Sequence, residues 1–407
     1  MRLTKESVCT ISARFGDAFY LLESENFISN YKELSACFKR YYPKFNIAYS
    51  YKTNYIPKLA RIVDRLGGYA EVVSDMELEI ALRSGVSPRR IIWNGPVKNE
   101  KKVRQLLLEG GTVNLDSIHE LDTVRALSRD YPNHILNVGI RCNYDVGDGV
   151  LSRFGFDVEG IDFSAVLGFI ASAPNVKLIN LQAHFAKRAP EYWTARADGM
   201  LSVYDRVVRE YGLKPERLDL GGGIYGNMPD CLREQLGIGR ISYEDYASRA
   251  AARFEERFRD DPDAPWLFVE PGSALAGDCM RFVSKVETIK AVRGKWIATV
   301  LGSQKNISMS GINPPMEIIP CGTSRKMYTD LDIAGFTCIE SDYLYRGYEG
   351  ELSVGDYVVT GNCGSYSIVM KPPFILPNFP VIDICGHDAE EIKRAEEFDD
   401  LFGTYRF

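Results

Sequence analysis

The sequence predicts an α/β protein: a TIM-like (β/α)8 barrel followed by an antiparallel β domain. Three observations carry that reading. Strand-like and helix-like runs alternate about eight times between residues 45 and 270, the pattern of a parallel barrel. Beyond about residue 272 helical periodicity fades, and short β-rich runs separated by Gly and Pro take over. Polar residues of chemical interest recur at the C-terminal ends of the expected strands, where a barrel keeps its site. An open doubly wound sheet is the competing architecture.

In chain order, residues 1–25 read as a strand region, with Ala18–Leu22 the clearest run, and 26–42 carry helical spacing. Barrel strands are expected at 45–51, 69–73, 90–93, 112–115, 135–141, 177–183, 217–220 and 265–269. Helical runs at 75–84, 100–109, 118–128, 162–171, 191–211 and 243–258 separate most of them. The β domain is expected to use 281–292, 296–301, 316–320, 336–339, 357–360 and 381–384. The domain limits follow: 26–270 form the barrel, while 1–25 and 271–407 form the β domain.

A chain of 407 residues favours two domains, and 45% hydrophobic with 26% charged residues is ordinary globular composition. A net charge of −6 without a basic block argues against nucleic acid as partner. No run of about 18 apolar residues is present, so no membrane partner or span is expected. The first residues lack the apolar core of a signal peptide. Nine cysteines are scattered singly, without a CxxC pair, and His119, His134, His184 and His387 have no ligand-like spacing. No metal is expected, and a reducing cytoplasm is the expected compartment.

Four stretches carry chemistry. Ile47-Ala48-Tyr49-Ser50-Tyr51-Lys52-Thr53-Asn54 is a strand ending on a lone lysine. Lys52 is either a snorkelling cation or an amine poised to lose its proton and form a Schiff base. Leu218-Asp219-Leu220-Gly221-Gly222-Gly223 runs a strand into glycines, which fits a tight turn or an anion cradle. It is neither a Walker loop nor a GxGxxG fingerprint. Glu270-Pro271-Gly272 sets a carboxylate at a strand end, either capping the chain or holding a ring nitrogen protonated. Thr337-Cys338-Ile339-Glu340-Ser341-Asp342 offers a thiol near acids, and Gly364-Ser365-Tyr366 a tyrosine on a turn.

As a set, these segments resemble the fold-type III pyridoxal-phosphate decarboxylases, the family of diaminopimelate, ornithine and arginine decarboxylases, whose barrel is alanine racemase-like. Tyr49–Asn54 resembles the family's Y-x-x-K-[AT]-N, and Glu71-Val72-Val73-Ser74-Asp75-Met76-Glu77-Leu78 its D/E-x-x-S-x-x-E-L. Asp219–Gly223 is similar to LDLGGG, Glu270–Gly272 to EPG, Cys338–Asp342 to C-[ED]-x-x-D and Gly364–Tyr366 to G-A-Y. The resemblance implies pyridoxal 5′-phosphate as cofactor, anchored by Lys52. It implies further cofactor contacts from Glu71, Arg141, His184, Gly221, Gly222, Gly223, Glu270, Gly272 and Tyr366. Cys338 is implied as the catalytic proton donor, with Ile339, Glu340 and Asp342 towards the substrate. A homodimer with shared active sites is also implied, acting on a small amino acid.

Decarboxylation is the implied reaction, because a carboxylate on the ring nitrogen keeps the cofactor a strong electron sink. A racemase on the same scaffold and a non-catalytic relative are the alternatives. The departures concern substrate. Ile339 stands where the family's acid binds a distal ammonium, Ser273 where EPGRS has arginine, and His184-Phe185-Ala186-Lys187 where H-[IV]-G-S is usual. With Lys187, Arg188 and Lys305 they suggest a substrate bearing another carboxylate, in a specialised pathway such as siderophore or antibiotic assembly.

Overall fold

Eight short parallel strands, most of them followed by a helix with a buried apolar face, fold here into a closed ring. The computed structural model describes residues 3–309, 311–385 and 388–407; His387 lies outside the described residues. It divides into two units: Asn30–Gly226 with Ile241–Ala274, and Met1–Ser29 with Asn227–Arg240 and Leu275–Phe407.

The first unit is the barrel. Strands Phe45–Ser50, Tyr69–Val72, Ile91–Trp93, Thr112–Leu115, Leu136–Asn143, Val176–Gln182, Arg217–Asp219 and Trp266–Val269 pair in parallel, each with the next. Leu267 opposite Phe45 closes the ring, which rules out the open sheet. All eight expected strands are present. Side chains two apart on a strand share a face, so the interior is layered. Ala48, Ile92 and Phe268 form an apolar layer with Tyr69. Two residues further along the same strands stand Ser50, Glu71, Asn94 and Glu270, a polar layer at the C-terminal mouth.

Each strand hands over to its helix by local chemistry. After Phe45–Ser50 the chain makes one 3-10 turn, Tyr51–Thr53, and helix Pro57–Arg65 then starts with proline in its first turn, where the missing N–H costs nothing. Ser74 caps helix Asp75–Arg83 through the Glu77 N–H, and Asn99 caps Glu100–Leu108 through the Lys102 N–H.

The second unit is built on a nine-stranded sheet, antiparallel except where Tyr20 pairs with Val381 and Trp296 with Leu331. Its core gathers Val8, Ile11, Phe19, Leu21, Val283, Tyr357, Val359 and Ile382. Two expectations need correction. Residues 5–15, read as part of a strand region, form helix Lys5–Phe15; a Thr4/Ser7 capping box starts it, and Val8 and Ile11 give it a buried face. Residues 336–339, read as a strand, are a loop between the antiparallel strands Lys326–Ala334 and Tyr343–Leu352. Asp342 closes that loop as a turn, accepting from Thr337 Oγ1 at 2.5 Å. The sequence reading also missed that Asn227–Arg240, inside the barrel's stretch of chain, belongs to the β unit.

Candidate active site

The polar layer at the barrel mouth is a connected set of side chains. Lys52, on its 3-10 turn, points its Nζ to Glu71 Oε2 at 2.8 Å. Glu71 is buried and also accepts from Ser50 Oγ at 2.6 Å and Asn94 Nδ2 at 3.0 Å. The same Asn94 nitrogen donates to Glu270 Oε1 at 2.5 Å, and Gln182 Nε2 donates to Glu270 Oε2 at 3.1 Å. Behind Asn94, Asn114 Nδ2 donates to Asn94 Oδ1 at 2.6 Å and Asn180 Nδ2 to Asn114 Oδ1 at 3.1 Å. Gly139 leaves room for this ladder, because a Cβ there would stand 1.7 Å from Asn114 Oδ1.

Three buried carboxylates share this space, and their protonation divides them. Burial is the largest influence and raises Glu71, but Lys52 and the Ser50 and Asn94 donors together hold the carboxyl below its ordinary value. Glu270 is pushed well above the ordinary range, by burial first and then by the negative charges of Asp219 and Glu71. Asp219 rises to about 7 for the same leading reason, opposed by the Gly221 N–H on Oδ1 at 2.9 Å. With both acids ionised, Asp219 Oδ2 finds no donor among the described residues, and a proton between Asp219 and Glu270 satisfies it. The mouth therefore crowds three buried carboxylates together, and the raised pair Asp219 and Glu270 holds a proton.

The glycine segment wraps the other side. Gly221 has φ +71°, and a Cβ on Gly222 would meet the Glu270 carbonyl at 2.5 Å. The Gly222 N–H donates to His184 Nδ1 at 3.0 Å, which leaves the His184 proton on Nε2. Burial, with Lys52 and Arg141 nearby, holds His184 well below its usual pKa, so the ring is neutral. Arg141 lies 3.9 Å from Asp116 and over the Phe154 ring at 4.6 Å. Gly272 lets the Glu270 turn close on Thr53, whose Oγ1 would stand 1.9 Å from a Cβ there, and the Ser50 N–H bonds to the Pro271 carbonyl at 3.3 Å. Gly222→Ala should therefore displace the Glu270 turn. We expect cofactor affinity to fall at least about tenfold, the equivalent of 1.4 kcal/mol, measured by fluorescence titration of the apo-protein. Unchanged affinity would remove Gly222 from the cradle.

The other expected site residues lie in the β unit. Cys338, Ile339 and Glu340 are exposed on the 336–342 loop. Asp342 is buried and committed: Oδ1 accepts from Ser303 Oγ at 2.9 Å and from the Gln304 N–H at 2.8 Å, and Oδ2 from Thr337. Its role is to hold the loop. Tyr366, half-exposed, begins helix Ser367–Met370 with φ +60°.

Several residues escaped the sequence reading. Asn94, Asn114, Asn180 and Gln182 converge from three strands, and nothing local marks them. Arg196 is different: it sits on the buried face of helix Tyr192–Tyr211, where an arginine is out of pattern. Its guanidinium donates to the carbonyls of Gly222 at 2.8 Å, Phe185 at 3.3 Å and Lys187, tying the histidine loop to the glycine segment.

This geometry has known counterparts. A family model described as the pyridoxal-binding domain of pyridoxal-dependent decarboxylases matches residues 28–277. The chain belongs to the pyridoxal-dependent decarboxylases. A diaminopimelate decarboxylase from Methanocaldococcus jannaschii is 27% identical over 380 residues, covering 88% of this chain and 84% of that protein. An L-glutamyl-[BtrI acyl-carrier protein] decarboxylase from Niallia circulans is 27% identical over 434 residues, covering 99% and 97%. The crystal structure of the M. jannaschii diaminopimelate decarboxylase shares the fold, with TM-score 0.86, 22% identity and coverage of 98% and 94%. This decarboxylase is thus a pyridoxal 5′-phosphate enzyme, a carboxy-lyase. Its barrel mouth fits the cofactor: a lone amine at the rim, surplus buried carboxylate for a protonated ring nitrogen, and glycines where a Cβ would block approach. Among the described residues no helix is long and apolar enough to cross a membrane, and no cluster of three ligand-type side chains could hold a metal.

Proposed function

We propose that this protein decarboxylates an α-amino acid to the corresponding amine. The observation that carries the reading is the carboxylate set Glu270–Asp219–Glu71, linked through Asn94 to Lys52. Bound pyridoxal phosphate supplies an electron sink for the bond to the departing CO₂. Lys52 Nζ is the covalent anchor and the amine that releases product. Glu270 holds a proton on the ring nitrogen; an arginine at that position, the racemase arrangement, would weaken the sink. Neutral His184 would stack on the bound ring, Arg141 belongs to the surrounding charge network, and Glu71 orients the Lys52 amine. The Gly221–Gly223 segment, whose Gly221 and Gly222 N–H groups are already bonded to Asp219 and His184, would admit the phosphate by its lack of side chains, with the Gly272 turn and Tyr366 as further phosphate contacts. Cys338 Sγ delivers a proton to Cα.

We also propose a homodimer in which Cys338 of one protomer serves the barrel of the other. Cys338 and Ile339 are both exposed on the β unit, and a thiol beside an apolar side chain is surface that a second copy can cover. A cytoplasmic location, where Cys338 stays a thiol, completes the reading. The substrate we propose is not lysine, ornithine or diaminopimelate, since Ile339 offers no acid for a distal ammonium. A specialised assembly pathway is supported by the likeness to the Niallia circulans glutamyl decarboxylase over 99% of this chain.

The test is CO₂ release from a panel of amino acids by the holoenzyme. Cys338→Ala should keep the cofactor absorbance and lose roughly 10²-fold in turnover, the scale of one general acid. Mixing Cys338→Ala with Lys52→Ala should restore about a quarter of native activity, because half the dimers then hold one intact site. A kinetically silent Cys338→Ala would refute the proton-donor role, and absent complementation the shared site.

A further inference from the structure

Arg196 is a fully buried cation of the barrel unit to which the reaction above gives no part. Its guanidinium is spent on carbonyls, that of Gly222 from Nη1 and those of Phe185 and Lys187 from Nη2, while Nε has no partner among the described residues. It lies over the rings of Trp193 at 4.8 Å and Phe185 at 5.6 Å. Burial pulls its pKa down to about 10, with Tyr144, Tyr246 and Asp148 acting against that through space, so it stays charged at neutral pH. Among the described residues no carboxylate forms an ion pair with it. Carbonyls and ring faces balance part of a buried charge, but they are no substitute for an anion.

The carbonyl it grips belongs to the same peptide group as the Gly223 N–H, and in a trans peptide the two point in opposite directions. Holding the Gly222 carbonyl inward therefore turns the Gly223 N–H outward. Among the described residues neither that N–H nor the next one, of Ile224, has an acceptor. The flanking N–H groups of Gly221, Gly222 and Tyr225 are bonded to Asp219, His184 and Tyr246. Gly223 has φ +92°, and both Nη atoms of Arg196 stand 3.6 Å from where its Cβ would be. Arg188 adds a second cation: it donates to the Ile224 carbonyl at 3.1 Å and lies over the Tyr225 ring at 4.2 Å. The neighbouring Glu270–Gly272 turn runs on into Ser273 and brings no cation of its own. Two consecutive unused amides, backed by a buried arginine without an acid, make a seat for an anion.

We propose that Arg196 is a positioning residue for the cofactor's phosphate, acting through the Gly222–Gly223 peptide, with the Gly223 and Ile224 N–H groups as the donors. The assignment rests on the phosphate lying at the glycine segment, as proposed above, and deepens it. Cation, carbonyl, amide and anion then form one row in which each member polarises the next. The row aims the Gly223 N–H, strengthens it as a donor, and favours the phosphate in its doubly charged form.

The decisive pair of probes is pyridoxal phosphate and pyridoxal, which differ only by the phosphate. Each is titrated into apo-protein and followed by fluorescence. Arg196→Met keeps the apolar stem and removes the charge. It should weaken pyridoxal phosphate at least about tenfold, as loss of one charge-assisted contact does, and leave pyridoxal within about twofold. Arg196→Lys restores the charge without the fork and should recover part of the loss. An arginine that only holds the loops together would lower both ligands alike. Phosphorus NMR of the native holoenzyme needs no variant: the bound phosphate should keep one shift from about pH 8 to about pH 5, across its ordinary second pKa near 6. In Arg196→Met it should titrate within that interval. Equal loss of both ligands, an unchanged preference for pyridoxal phosphate in Arg196→Met, or a native phosphate that titrates near pH 6 would each overturn the proposal. Should Gly222→Ala lower cofactor affinity while Arg196→Met does not, the glycine seat stands and the part of Arg196 falls; should neither variant lower it, both fall.

Discussion

Lys52→Ala is expected to abolish the cofactor's protein-bound absorbance band and to lower CO₂ release by roughly 10⁴-fold, the upper range for one acid–base group and here joined to loss of the anchor. The amine stands at the barrel mouth, 2.8 Å from the buried carboxylate of Glu71. Removing it does two things at once. In the proposed role it deletes the covalent attachment, and it leaves Glu71 buried without the cation that helps hold its carboxyl down. Lys52→Arg separates the two, since arginine restores the charge and cannot form the bond. We expect Lys52→Arg to melt closer to native than Lys52→Ala and to be equally colourless. Spectrophotometry of both variants with added pyridoxal phosphate, alongside melting curves, is sufficient. A normal band in Lys52→Ala would remove Lys52 as the anchor.

Glu270→Gln is expected to keep the band and lose roughly 10²- to 10³-fold in turnover, the scale of one misdirected electrostatic group in a preorganised site. Gln retains the shape and the contacts to Asn94 and Gln182 but cannot hold a proton on the ring nitrogen. The same variant should change how stability depends on pH. In the apo-protein Glu270 has a folded pKa raised above its unfolded value, so the native state binds the extra proton. Its contribution is present below the ordinary carboxyl range and is lost as pH rises towards the folded pKa. Apo-protein should thus melt at a higher temperature near pH 5 than near pH 8, and Glu270→Gln should flatten that slope. A native apo-protein with no slope over that interval would contradict the crowded-carboxylate picture.

The barrel was legible because each strand is a short apolar or aromatic run ended by a polar residue, and each helix shows one apolar face. Lys52, Glu71 and Glu270 could be picked out for the same reason: they end strands whose other residues are apolar. The amide ladder was not legible. Asn94, Asn114 and Asn180 look like ordinary strand polar residues, and only the pairing of neighbouring barrel strands brings them together. In the β unit, Lys326–Ala334 and Tyr343–Leu352 alternate charged and aromatic residues without a buried face at both ends, so the strands went unseen and the loop between them was read as one. Helix Lys5–Phe15 was hidden by its low apolar content, and its start depends on a two-residue cap.

The ladder from Asn180 through Asn114 to Asn94 runs in one direction, each amide donating to the next and the last to both Glu71 and Glu270. Such a row polarises towards the carboxylates, yet amides neither take up nor give away a proton near neutral pH. The barrel floor is in that sense a proton insulator. Whatever proton Glu270 holds exchanges by way of the mouth, on the side of Asp219 and Lys52.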